Sequence, residues 1–231
     1  MTALFDLPAP PLIPVRGAAA GYPVRRIFCV GRNYAAHAAE MGTEADREAP
    51  FYFTKSPSAL MLSGGTLAYP PGTENCHYEM ELVVSLGAPA FRLGREAAAA
   101  AIHGYACGLD MTRRDLQLAA REKQRPWDLG KDFEDSAVIA EITPAAELPH
   151  LPPRRIALEV NGTVRQEARL AELIHDVPAI IAHLSGYYHL GPGDLIMTGT
   201  PAGVGPVSPG DRLTGTIDGL APVELTIGAA E

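Results

Sequence analysis

Glu79 and Glu81 stand two residues apart at the head of the apolar run "EMELVVSL". In an extended strand that spacing sends both carboxylates to one face. Like charges side by side are unfavourable unless something cationic neutralises them. A solvated strand face would account for the pair equally well. Asp110 adds a third carboxylate, at the end of the apolar stretch "GYACGLD", where a side chain becomes free to reach a site. Three carboxylates without Cys–His spacing suit a hard octahedral cation, Mg2+ or Mn2+, better than zinc. Such an ion would keep coordination positions for water or substrate.

His37 and Glu40 lie three residues apart in "NYAAHAAEMG", a segment of strong helix formers. On a helix they face the same way, so Glu40 can accept a proton from one imidazole nitrogen and leave the other as a base. A His–Glu pair at this spacing is more often a plain surface contact. Beyond Asp110, Arg114 and Gln117 share a helix face at i, i+3, just past the proposed cation. Charged surface helices show the same pattern. Lys131, in "WDLGKDF", sits among apolar and aromatic residues, and an exposed loop lysine reads as well there.

The elements that would position these groups follow from periodicity and turn chemistry. Strands are expected over residues 26–30, 51–54, 79–86 and 104–110, and helices over 34–41, 94–102 and 112–122, the last opened by a capping box at Thr112 and Asp115. The carboxyl half reads as strands. Asn161-Gly162, between 156–160 and 163–166, is the strongest hairpin signal, and Asp218-Gly219, between 211–217 and 222–227, suggests a closing one. A helix over 176–187 interrupts it, with Asp176 as N-cap and Pro178 in the first turn. No repeat or linker is visible, so the class is α+β with a mixed or antiparallel β-rich core. Residues 1–24, rich in Pro, Ala and Gly, form an expected arm, and 25–231 a single catalytic domain.

Length and composition bound the function. A chain of 231 residues buries a substantial core. The net charge of −8, from 19 scattered basic residues among 27 acids, argues against nucleic acid as a partner. Apolar runs fall short of a membrane span, and the amino terminus has an acid where a signal peptide wants a base. The expectation is a soluble cytoplasmic protein. Cys29, Cys76 and Cys107 are widely spaced, so neither a zinc ribbon nor a disulfide framework is indicated.

Taken together, "GRNYAAHAAEMG", "FTKSPSAL", "HYEMELVV", "GYACGLDMTRRDLQ", "PWDLGKDF" and "GDLIMTGTPAGVGP" resemble the fumarylacetoacetate hydrolase family, in the family's order, from about residue 25 to 228. The resemblance implies that Glu79, Glu81 and Asp110 hold Mg2+, with Mn2+ as the alternative. It implies that His37 and Glu40 activate water, and that Lys131, Arg114 and Gln117 line the site. In the "TGTP" turn, Gly199 and Thr200 would bind the substrate carboxylate. The implied fold is a β-roll core of the family's C-terminal-domain type with a few peripheral helices, usually a homodimer. The dyad would lie on a segment, residues 34–50, that orders over bound substrate. Tyr78 departs from the family, standing where relatives commonly carry a second histidine, and "KSPS" replaces the commoner Lys-Pro opening.

The implied substrate is a small 2-oxo diacid, an acylpyruvate, with fumarylpyruvate of gentisate breakdown first among candidates. A 2-oxo acid chelated by its carboxylate and 2-oxo oxygen can leave as an enolate, which makes hydrolysis of the C–C bond feasible. Oxaloacetate decarboxylation passes through the same enolate and is a rival. An isomerase or hydratase needs no water activation of this kind, and a non-catalytic binding protein would not need the complete set. Arg32, Arg113, Arg125 and Lys55 are the candidates for the distal carboxylate.

Overall fold

A computed structural model describes residues 3–42, 44, 46–148, 151 and 153–230. Residues 1 and 2 of the expected arm, 43 and 45 of the expected covering segment and 231 lie outside the described residues. Among the described residues the chain is α+β, with two large mixed sheets and five α-helices. The larger sheet runs, in spatial order, Phe51–Lys55, Arg26–Gly31, Asp194–Met197, Met80–Leu86, Ile102–Asp110, Ala137–Ile139 and Leu60–Leu62. Its pairings are antiparallel except Asp194–Met197 with Arg26–Gly31 and Ala137–Ile139 with Leu60–Leu62. The second sheet runs Thr163–Arg169, Arg155–Val160, Arg212–Ile217, Val223–Ala230 and Gly65–Tyr69.

Every residue of Met80–Leu86 is buried, because both faces of the larger sheet are covered. Leu82, Val84, Cys107 and Leu109 pack with Ile156, Leu158, Leu213 and Leu225 of the second sheet. Their odd-for-even neighbours Val83, Ala106, Leu195 and Met197 form a separate core with Ile13, Ile27 and Ile139 on the other face. Period-2 alternation thus feeds two cores from one strand. Glu81 continues the face of Val83, and Asp110 that of Ala106.

The helices are α1 (Ala35–Glu40), α2 (Arg95–Ala100), α3 (Arg114–Glu122), α4 (Asp128–Lys131) and α5 (Val177–Leu184). Helix α5 forms as its sequence directs: Asp176 accepts from the Ala179 N–H at 3.0 Å, and Val177, Ile180, Ile181 and Leu184 bury one face. Asn161 and Gly162 join their strands with φ of 51° and 75°, the left-handed pair a tight hairpin needs. Two expectations shift. Thr112 and Arg113 form a short strand against His77 and Cys76, and α3 starts only at Arg114, because Asp115 accepts from Thr73 and Glu74 instead of capping the helix. Glu79 lies in a break before its strand. Among the described residues no helix is long and apolar enough to cross a membrane.

Asp194 fastens the amino-terminal segment. Its side chain is fully buried, and Arg25 and Arg26 each donate two hydrogen bonds to it at 2.6–3.1 Å, joined by the Gly191 N–H at 2.9 Å. Burial alone would raise the Asp194 pKa, and the two arginines outweigh it and hold it below the ordinary aspartate value. Asp194→Asn should destabilise the protein by about 2–3 kcal/mol at pH 7, less than a fully buried pair because both arginines are partly exposed. A depressed folded-state pKa contributes stability above the unfolded value of about 3.9, lost as pH falls through the folded one. Urea melts should therefore show the full gap between variant and parent at neutral pH and a shrinking gap in acid.

Candidate active site

The break at Glu79 does not undo the strand-face expectation. The Asp110 N–H donates to the Glu79 carbonyl at 2.9 Å, and Glu81 sits opposite Gly108, so Glu79 and Asp110 are cross-strand partners with Glu81 on the same face. One carboxylate oxygen from each lies within 4.8 Å of the others, and all three side chains are buried.

Three cations face them. Lys131 Nζ donates to Glu79 Oε2 and Asp110 Oδ2, both at 2.7 Å, and to Thr112 Oγ1 at 2.8 Å. Lys55 Nζ lies 2.9 Å from Asp110 Oδ1 and also donates to Ser136 Oγ and the Met111 carbonyl. Arg114 bonds Glu79 and the Gln117 side-chain oxygen. The compensation is uneven. Burial pushes the Glu79 carboxyl up, but Lys131 and then Arg114 reverse this and leave it well below its ordinary value. Burial opposes the charge on Lys131, and Asp110 and Glu79 more than restore it. Glu81 is raised well above its ordinary value, by burial first and then by Asp110 and Glu79, and it accepts a backbone bond from Gly199 at 2.7 Å. A buried carboxylate so poorly neutralised, in an all-oxygen donor set, fits a hard divalent cation.

His37, on α1, is buried, and its Nδ1 lies 3.1 Å from Glu40 Oε2. Because a carboxylate can only accept, that bond assigns the proton to Nδ1 and leaves Nε2 as the unprotonated nitrogen of the neutral ring. Glu40 is itself held by the Gly203 N–H at 3.1 and 3.2 Å. Gly203 has φ of 97°, and a Cβ there would come within 2.1 Å of the Arg165 carbonyl, so only glycine presents this donor.

His37, Glu79, Glu81, Arg114, Gln117, Lys131 and Thr200 line one chamber of about 30 Å³. Gln117 and Arg114 are buried on one face of α3, and Lys131, at the end of α4, is 2% exposed rather than a surface lysine. Thr200 Oγ1 accepts from Gln166 Nε2 at 2.8 Å, which leaves its own O–H to donate. The Gly199 N–H is donated to Glu81 at 2.7 Å, a carboxylate of the cluster. Lys55 is corrected, being locked behind Asp110 and unable to reach a distal group. Arg113 stacks on Phe133 and bonds the Leu129 carbonyl. Sequence reasoning missed Gly203, Arg121 and Asn33. Asn33 is fully buried and ties Thr198 to His175 through bonds of 2.8–2.9 Å. The glycine-dense "TGTPAGVG" run was the signal for the first. Tyr78 belongs to the apolar core, and Ser56 bonds Asp132.

Residues 26–228 match the family described as fumarylacetoacetate (FAA) hydrolase, C-terminal, and the chain belongs to it. Within that family it is 55% identical over 193 residues to fumarylpyruvate hydrolase of a Ralstonia species, covering 83% of this chain and 100% of the relative. The crystal structure of fumarylpyruvate hydrolase from Pseudomonas aeruginosa, in complex with Mn2+ and pyruvate, is 44% identical with a TM-score of 0.95, covering 99% of this chain and 100% of that one. An oxaloacetate tautomerase of Escherichia coli is 40% identical over 205 residues, 88% of this chain and 93% of the relative.

The uneven compensation separates two substitutions. Glu81→Gln should leave the metal-free melting temperature unchanged or higher, since it removes a repelled buried charge, while weakening Mn2+ binding at least about tenfold, a change of about 1.4 kcal/mol. Asp110→Ala should lower the metal-free melting temperature, because it strands the buried Lys55 and takes from Lys131 one of its two carboxylates. Thermal melts with and without Mn2+ check both, and equal melting temperatures for the two variants would contradict the charge assignment.

Proposed function

We propose that this chain hydrolyses the C–C bond of an acylpyruvate, with fumarylpyruvate as substrate and fumarate and pyruvate as products. The observation that carries the reading is one chamber lined both by Glu79 and Glu81 of the buried carboxylate triad and by a histidine whose Nδ1 is held by Glu40. Glu79, Glu81 and Asp110 hold the divalent cation, Mg2+ or Mn2+, which supplies Lewis-acid stabilisation of negative charge on the 2-oxo acid.

The chain's own residues do the rest. His37 takes a proton from water at Nε2, while Glu40 keeps Nδ1–H oriented and stabilises the imidazolium. The water attacks the carbonyl joined to the fumaryl group. Lys131, which bonds Glu79 and Asp110 in this structure, would donate to the resulting oxyanion. Gln117 is a second donor, because its oxygen is occupied by Arg114 and its NH2 remains. Collapse breaks the C–C bond and expels the three-carbon fragment as an enolate, which takes up at carbon a proton equivalent to the one His37 removed from water, giving fumarate and pyruvate. A cytoplasmic homodimer serving gentisate breakdown completes the proposal, in line with the resemblance to fumarylpyruvate hydrolases.

A second reading has a specific support, the 40% identity to an oxaloacetate tautomerase. Keto–enol exchange, like decarboxylation, involves the same enolate and needs no attacking water. The difference falls on His37. His37→Ala should lower fumarylpyruvate hydrolysis about 10²–10⁴-fold while leaving Mn2+ affinity nearly intact. The parent kcat/KM for fumarylpyruvate should exceed that for loss of oxaloacetate by at least about a hundredfold, or about 2.7 kcal/mol. Steady-state assays of both substrates at one metal concentration, with EDTA controls, decide this. Oxaloacetate as the better substrate would transfer the assignment to the tautomerase or decarboxylase.

A further inference from the structure

The chamber opens outward. Arg32, Phe53, Arg121, Trp127 and Lys131 line both it and an adjoining vestibule of about 460 Å³. At the inner end every cation is already matched to a carboxylate of the cluster. At the mouth the balance is reversed. Among the described residues no carboxylate lies within ion-pair distance of Arg32 or Arg121.

Arg121 gives one N–H to the Met41 carbonyl at 3.0 Å. Arg32 is held with φ of 57°, a conformation uncommon outside glycine, and its guanidinium lies 5.8 Å from the ring centres of both Phe51 and Trp127. Burial, and then the charge of Arg121, keep the Arg32 pKa below its ordinary value, as two unneutralised neighbours require. Arg125 lines only the outer vestibule.

We infer that Arg32 and Arg121 form the subsite for the distal carboxylate of the substrate, so that the site selects 2-oxo acids carrying a second carboxylate at the far end of an extended chain. The inference rests on the acylpyruvate reading and deepens it. Paired guanidiniums suit a carboxylate through charge-assisted bonds, and the flanking Phe51 and Trp127 rings suit a flat, unsaturated chain.

The test uses 2-oxoheptanedioate and 2-oxoheptanoate, which share the head group and the seven-carbon chain and lack a second carbonyl to hydrolyse. Titrated calorimetrically into the Mn2+-loaded protein, the diacid should bind at least about tenfold more tightly, the scale of one hydrogen bond to a charged group. In Arg121→Gln and Arg32→Gln that preference should fall below about threefold, with the loss carried by the diacid. Equal binding of the two acids by the parent protein overturns the inference. So does a parallel loss for both acids in the variants, which would assign Arg121 to holding the Met41 segment. Fumarylpyruvate turnover by the parent, measured alongside, tests the acylpyruvate reading separately. Selectivity without turnover sustains the subsite and sinks that reading, and turnover without selectivity does the reverse.

Discussion

The buried encounter of three carboxylates with three cations at one end of the larger sheet is the constraint on which the site depends. Each ion would be prohibitively costly alone in that interior. Lys131 bridges Glu79 and Asp110, Lys55 backs Asp110, and Arg114 grips Glu79, so α3, α4 and the strand Phe51–Lys55 are all pinned by the same charges. Glu81 is left over. The cluster therefore stabilises the fold and leaves an electrostatic need that a cation can meet.

A different device fixes the histidine. Helix α1 has six residues, no side-chain cap and no acid in its first turn, far too little to be stable alone. Its carboxyl end is tied to the 198–205 turn by Glu40 and Gly203, and to α3 by Arg121 and Met41. The same turn supplies Gly199 to Glu81 and Thr200 to the chamber. One loop thereby sets the spacing between His37 and the carboxylates.

What could be read in the sequence was whatever depends on short spacing. The i, i+2 glutamates, the i, i+3 pairs His37–Glu40 and Arg114–Gln117, and the Asn-Gly hairpin are fixed by local geometry, and each appears in the structure as its spacing directs. What could not be read depends on pairing across long separations. Lys55 meets Asp110 although three strands stand between theirs in the sheet order, and Gly65–Tyr69 pairs in parallel with Val223–Ala230 from the other end of the chain. Arg121 was invisible because a surface arginine on α3 becomes a mouth residue only after α4 folds back. The capping-box expectation at Thr112 failed for a similar reason: Asp115 was claimed by Thr73 and Glu74, some forty residues away.

Glu81 and Asp110 stand on strands of the larger sheet and Glu79 directly before one, whereas His37 rides a six-residue helix whose side chains barely enter the core. Exchanging or repositioning α1 would move His37 while leaving the buried carboxylates and their cations in place. The part that presents the imidazole is thus separable, in this fold, from the part that gathers the negative charge.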